Sequence, residues 1–129
     1  MNEKNKIKVG DVFQTSWGYD QTNYDFVVVE KFSPSGKTAI CRKAAYDYVE
    51  DDSCMTQDAL KPKSVGFGLP FRLRVNENSL KGSYPFLSRW DDNWDDDEKK
   101  DWLNSKRMGW FSKVDKDRNY YQTNPMFGH

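Results

Sequence analysis

Three groups of side chains in this chain of 129 residues have the types and spacing to do chemistry. The first is Ser16-Trp17-Gly18-Tyr19-Asp20-Gln21-Thr22-Asn23-Tyr24-Asp25-Phe26, where a row of hydrogen-bonding side chains stands between aromatic pairs. Trp17 and Tyr19 offer faces for stacking, and Asp20, Gln21, Asn23 and Asp25 offer edge hydrogen bonds, a combination that suits a base, a nucleotide or a partner loop. The same residues also suit a wide turn, in which Asp20 and Asn23 bond their own backbone and Trp17 and Tyr24 are half-buried packing.

The second group is Arg72 and Arg74, which alternate with Phe71, Leu73 and Val75 and so fall on one face of a strand. Lys61, Lys63, Lys81 and Arg89 lie near them in sequence. The flat guanidinium fork suits phosphate, and a basic sheet face beside aromatics resembles single-strand binding surfaces; Tyr120, Tyr121 and Gln122 are a candidate extension of it and read equally well as a core-edge strand. The competing reading pairs these arginines across strands with Glu30, Asp25 or the acidic blocks. The third group is Arg89-Trp90-Asp91-Asp92-Asn93-Trp94-Asp95-Asp96-Asp97-Glu98. It lacks the alternation and glycine of a calcium loop. As an acidic patch, Asp91, Asp92, Asp95, Asp96 and Asp97 would mimic a short piece of phosphate backbone. As a solvated helix start pinned by Trp90 and Trp94, they need no partner.

Catalysis finds little support. His129 is the only histidine and the last residue, where a side chain is hard to hold rigidly, and no nucleophile–histidine pair forms without it. Asp20 with Asp25 is a carboxylate pair of the kind that arises by chance among 20 acids. Gly66-Phe67-Gly68 is too short to be a phosphate loop. Two cysteines, Cys41 and Cys54, supply neither a disulfide framework nor enough sulfur for a zinc site. Neither a metal nor a cofactor is expected.

The elements that must position these groups are mostly strands. Residues 1–6 are polar and expected to be flexible. Val9 to Trp17, Tyr24 to Phe32 and Lys37 to Lys43 read as a three-stranded antiparallel meander, turning at Ser33-Pro34-Ser35-Gly36. Residues 46–66 read as an irregular acidic excursion. Phe67 to Val75 and Ser79 to Phe86 return to strand. Asp95 to Ser105 is the one good helix candidate, within an acidic loop and helix spanning 90–106. Asp95 is its cap, acids fill its first turn, and Trp102 and Leu103 form its buried face. Met108 to Val114 and Asn119 to Thr123 suggest a last hairpin. The expected fold is a mainly β domain over 7–129, at the margin of α+β: a small bent antiparallel sheet or SH3-like barrel with one short C-terminal helix.

The opening residues carry a resemblance. Val9-Gly10-Asp11-Val12-Phe13 followed by Ser16-Trp17-Gly18-Tyr19-Asp20-Gln21-Thr22-Asn23 resembles a group of small phage and mobile-element proteins of bacteria and archaea, whose hallmark is similar to GDxFxxSWGYDQTNxDF. Pro70 to Val75, Gly82 to Phe86, Tyr121-Gln122-Thr123 and Phe127-Gly128-His129 are similar to that group more patchily, and the acidic stretch 91–101 looks like an addition. The resemblance implies a mobile-element origin and a compact β-rich fold, and it brings no established activity or catalytic residues.

Composition limits the partners. Lys plus Arg and Asp plus Glu are 20 each, so the formal charge is zero. The charge is blocked, however: residues 46–60 sum to −5, 61–89 to +5 and 90–101 to −5. That excludes a uniform electrostatic coat for nucleic acid and favours a patchy surface. With 5 Trp, 7 Tyr and 8 Phe, aromatics replace the scarce aliphatics of the core. No apolar run approaches the roughly 20 residues of a membrane span, and Met1-Asn2-Glu3-Lys4 does not open a signal peptide, so the host cytoplasm is the expected location. The function expected is a non-enzymatic binding or occluding protein of mobile-element origin. Its specific form would be an anti-defence, anti-CRISPR-like inhibitor acting on a host protein or ribonucleoprotein complex. The alternative is a direct binder of RNA or single-stranded DNA, and the least favoured is a small nucleotide-binding or hydrolytic enzyme.

Overall fold

Val27-Val28-Val29 is buried on both faces of its strand, and the reason is visible in the chain around it. The computed structural model describes residues 7–17, 23–49, 57–87, 90–114 and 120–123, with Trp17, Asn23, Val49, Gln57, Asp58 and 121–123 described as backbone. These residues form β1 (Val12–Trp17), β2 (Asn23–Phe32), β3 (Thr38–Val49), β4 (Gln57–Asn76), β5 (Ser79–Tyr84), α1 (Asp96–Asn104), β6 (Arg107–Lys113) and β7 (Tyr120–Thr123). The strand order is β3-β2-β1-β6-β5-β4, and β3 also pairs with β4, so six antiparallel strands close into a barrel. The fold is mainly β with one short helix. Closure decides between an open bent sheet and a barrel, and it removes the free edges that an open sheet would expose.

The barrel interior holds Phe13, Val27, Val29, Ala39, Cys41, Phe71, Leu73, Leu80, Tyr84 and Phe111. A second cluster lies outside β2. There Phe26 and Val28 pack with Ala44 and Leu60, brought over by the far part of the long β3–β4 ladder, and with Tyr120 of β7, which pairs with β4. Register shifts between Cys41 and Lys43 and between Ala44 and Tyr46 bend that ladder, as bulges do. Gly66 permits the approach, because a Cβ there would lie 2.8 Å from Val28 Cγ1. Two cores, one on each side of β2, are why three consecutive valines are all buried.

Two expectations are corrected here. Residues 46–49 and 57–66 are strand rather than irregular excursion: Tyr46 faces Pro62, Asp47 faces Lys61 and Val49 faces Ala59. Tyr46 and Leu60 belong to the second core, and that apolar burial holds in register a segment whose acidity reads as loop. The last hairpin does not form either. β6 pairs with β1 and β5, whereas β7 pairs with the start of β4, from Gln57↔Thr123 to Leu60↔Tyr120. Tyr120 is 2 % exposed and stacks edge-on against Tyr24 and Phe26, so burial of one tyrosine outweighs the short-range turn.

The helix forms as expected. Asp95 caps α1 by accepting the Glu98 backbone N–H at 2.8 Å, and the Glu98 carboxylate reaches back to the Asp95 N–H, completing a capping box. Trp102 plugs the helix onto the barrel: it is buried, donates its indole N–H to the Phe86 carbonyl at 2.7 Å and meets the Trp90 ring at 4.7 Å between centroids. No helix among the described residues is long and apolar enough to cross a membrane.

Candidate binding face

In a β-ladder, residues paired across strands share a face. Leu73, Leu80 and Phe111 point into the barrel, so their neighbours Arg72, Arg74, Lys81 and Trp110 point out. The registers Thr38↔Arg74, Arg74↔Lys81 and Lys81↔Trp110 set these residues in one row across β3, β4, β5 and β6. Two residues along, Lys31↔Ile40, Ile40↔Arg72 and Ser83↔Met108 mark a second row. No acidic side chain occupies any of these positions.

Two of the acids expected to neutralise the arginines are paired with other bases. Glu30 pairs with Arg42, and Asp47 pairs with Lys63 at 2.9 Å. Among the described residues, Arg72, Arg74 and Lys31 make no ion pair. Beside them Trp110 is 55 % and Met108 73 % exposed, the two largest apolar side chains standing out from β6. The Lys81 ammonium sits 5.3 Å from the Trp110 ring centroid, holding the indole by a cation–π contact while leaving surface free. Trp110 and Met108 were not singled out from sequence. The signal was present: Met108, Trp110 and Ser112 alternate with Gly109 and Phe111, putting large apolar groups on both faces of one strand.

Asp25 lies elsewhere. It is 4 % exposed and accepts a hydrogen bond from the Tyr84 hydroxyl at 2.7 Å, which removes it from any surface patch formed by the Trp17–Asp25 loop. The reason is parity: Asp25 shares a face of β2 with Val27 and Val29. Tyr84 reaches it from β5 beneath β6, and Gly109 makes room, since a Cβ there would lie 2.5 Å from the Tyr84 ring. Tyr19, Asp20 and Gln21 fall outside the described residues, and Trp17, Asn23 and Tyr121 are placed as strand backbone.

Within the acidic segment, Asp91 accepts the Asn93 N–H at 2.9 Å, Asp92 accepts the Trp90 indole N–H and Asp95 caps α1. Asp96 and Asp97 fill the first turn, exposed, where the helix dipole favours negative charge. Trp94 packs on Trp90 at 6.1 Å. The segment therefore has a local role as a helix start pinned by tryptophans. No group of three or more His, Cys, Asp or Glu able to hold a metal ion occurs among the described residues.

A cleft of about 380 Å³ lies between Val9, Gly10, Glu30, Arg42, Ser64 and Gly66. Its polar groups are already used: Arg42 bonds Glu30 and the Gly68 carbonyl, and the Ser64 hydroxyl bonds the Gly10 carbonyl. It offers a ligand little, whereas the outer face of β4–β5–β6 offers unpaired cations and an open ring.

The titratable groups inside the barrel carry a pH dependence. Burial, with the Glu30 charge adding to it, pushes the Cys41 thiol up to about 12. Burial first, and then Asp25 by charge and hydrogen bond, raises the Tyr84 phenol. Both groups hold their proton more tightly folded than unfolded. The stability they contribute is intact below their ordinary values of 9.0 and 10.0 and is lost as pH rises beyond them. Lys43 works in the opposite sense, its pKa lowered by burial against the opposing pull of Asp25 and Asp92. We expect the urea midpoint to fall above a pH of about 9, with a shallower fall in Cys41→Ala above 9 and in Tyr84→Phe above 10. Midpoints whose slopes against pH match wild type in both variants would contradict this account.

Comparison with protein-family models, with curated proteins and with solved structures returns no match for this chain.

Proposed function

We propose that this chain is a non-enzymatic binding protein of phage or mobile-element origin that acts by occluding a host nucleic-acid-targeting complex. Its contact surface is the outer face of β4, β5 and β6. One observation carries the reading: Arg72, Arg74 and Lys81 share a sheet face with exposed Trp110 and Met108 and have no acid among them. A surface that only kept the protein in solution would mix its charges. Exposed tryptophan and arginine together are the residues that dominate binding energy at macromolecular interfaces.

The test is affinity capture from host cells with mass spectrometry and RNA sequencing, comparing the wild-type chain with the charge-reversed pair Arg72→Glu/Arg74→Glu. Both arginines are exposed, so folding is expected to survive, and circular dichroism checks it. Wild type should enrich the subunits or RNA of a nucleic-acid-processing complex, and the reversed variant should lose them. Equal enrichment by both chains, or none by either, would remove this face from the function.

A further inference from the structure

We infer that the ligand of this face is a single strand of nucleic acid, with a base stacked on Trp110 and phosphates held by Arg72, Arg74 and Lys81. This rests on the binding reading above and names its partner chemistry. Neighbouring strands are roughly 4.8 Å apart, so the row Arg74–Lys81–Trp110 sets the backbone positions of the tryptophan and the arginine about 10 Å apart, with the lysine position between them. Such a row gives a polyanion alternating sites for charge and for an aromatic plane. Lys31 on β2, opposite Ile40 of β3 and beyond Arg72, extends the basic track to a third strand. Single-strand binding surfaces combine these two components.

The geometry favours a single strand over the other polyanions. The face is the outside of a small closed barrel, and among the described residues it projects neither a helix nor a two-stranded ribbon of the kind that enters the major groove of a duplex. Bases become available to an aromatic side chain once they are unstacked. An acidic protein segment would satisfy the arginines and leave the tryptophan ring without a planar partner. Trp110 therefore separates the two classes. Met108, two residues along β6, flanks the ring with a soft, polarisable side chain that adapts to a second base.

The test is fluorescence anisotropy with labelled 12-nucleotide oligouridine and oligothymidine and an abasic oligomer of the same length, across a range of salt. With three to four phosphates neutralised, log K against log salt should fall with a slope of roughly −2 to −3. Arg72→Gln and Arg74→Gln should each flatten that slope by about 0.7. Trp110→Ala should weaken binding roughly 5- to 150-fold with the slope unchanged, and Trp110→Phe should recover most of the loss. The abasic oligomer should bind weakly and ignore the Trp110 substitutions. Absence of binding by folded protein at low salt would overturn the inference, as would equal binding of base-bearing and abasic strands that Trp110→Ala leaves untouched. If nuclease-treated lysate still yields the same protein complex through Arg72 and Arg74, the strand is the wrong partner and the occlusion reading stands. If captures and anisotropy both come back empty, both fall.

Discussion

Trp102→Ala is expected to cost about 3–5 kcal/mol of folding stability, the range for deleting a buried tryptophan. The indole is 4 % exposed and is the buried residue of α1. Its loss opens a cavity beneath the helix, removes the edge-on contact with Trp90 and leaves the Phe86 carbonyl without its 2.7 Å donor. The rest of α1 is acids, lysines, Asn104 and the half-buried Leu103, and its further hold on the barrel is Leu103 against the core and the Lys99 ammonium 5.6 Å from the Trp90 ring centroid. Trp102→Phe keeps most of the volume but not the donor, and should recover roughly half of the loss. Urea unfolding of the three proteins checks this. A loss for Trp102→Ala under about 1 kcal/mol would mean that α1 is not docked through this side chain. Oligonucleotide binding should survive in whatever fraction remains folded, because the helix supplies no residue to the outer face.

The second large effect belongs to Tyr84 and Asp25. Tyr84→Phe is expected to cost about 1.5–3 kcal/mol, the usual worth of a hydrogen bond to a charged partner, although it changes a single oxygen atom. The bond spans the barrel where its ladder is thinnest. β1 and β6 pair at Phe13↔Lys113 and Gln14↔Ser112, and from Thr15 onward β1 runs on beside β2 alone. Tyr84 on β5 reaches across this seam to Asp25, opposite Thr15. The strut therefore does part of the work of the missing β1–β6 hydrogen bonds, and it fixes the strand that carries Lys81. In the double variant Tyr84→Phe/Asp25→Asn the second change should cost less than it does alone, giving a coupling of about 1 kcal/mol or more in a double-mutant cycle. Strictly additive losses would show that the two groups are neighbours without being partners.

Part of the candidate face was legible in the chain because period-2 alternation is local. Arg72 and Arg74 between Phe71, Leu73 and Val75 can only face away from whatever those three are buried in. The inward turn of Asp25 is not legible in the chain, for a different reason. Its sequence neighbours are polar and aromatic on one side and apolar on the other, and whether position 25 closes a loop or enters a core depends on the register of β2 against β1. That register is settled by all six residue pairs of the ladder together. Trp110 is not legible as a surface residue of this face because its setting comes from residues distant in sequence, Lys81 across one strand and Arg74 across two.

Outside residues 46–66, short stretches of the chain are enough to set the class of most elements. The β-branched run at Val27, the turn at Ser33 to Gly36, the alternation around Arg72 and the capping box at Asp95 are all decided by neighbours within a few residues. What those elements enclose depends on the whole fold. It sent acidic residues 46–49 into a long bent ladder, carried β7 to β4 instead of β6, and turned Asp25 inward to Tyr84. It also gathered cations from separate strands around one exposed indole. Strand pairing is chosen by burial summed over both faces of a sheet, and no local stretch of the chain contains that sum.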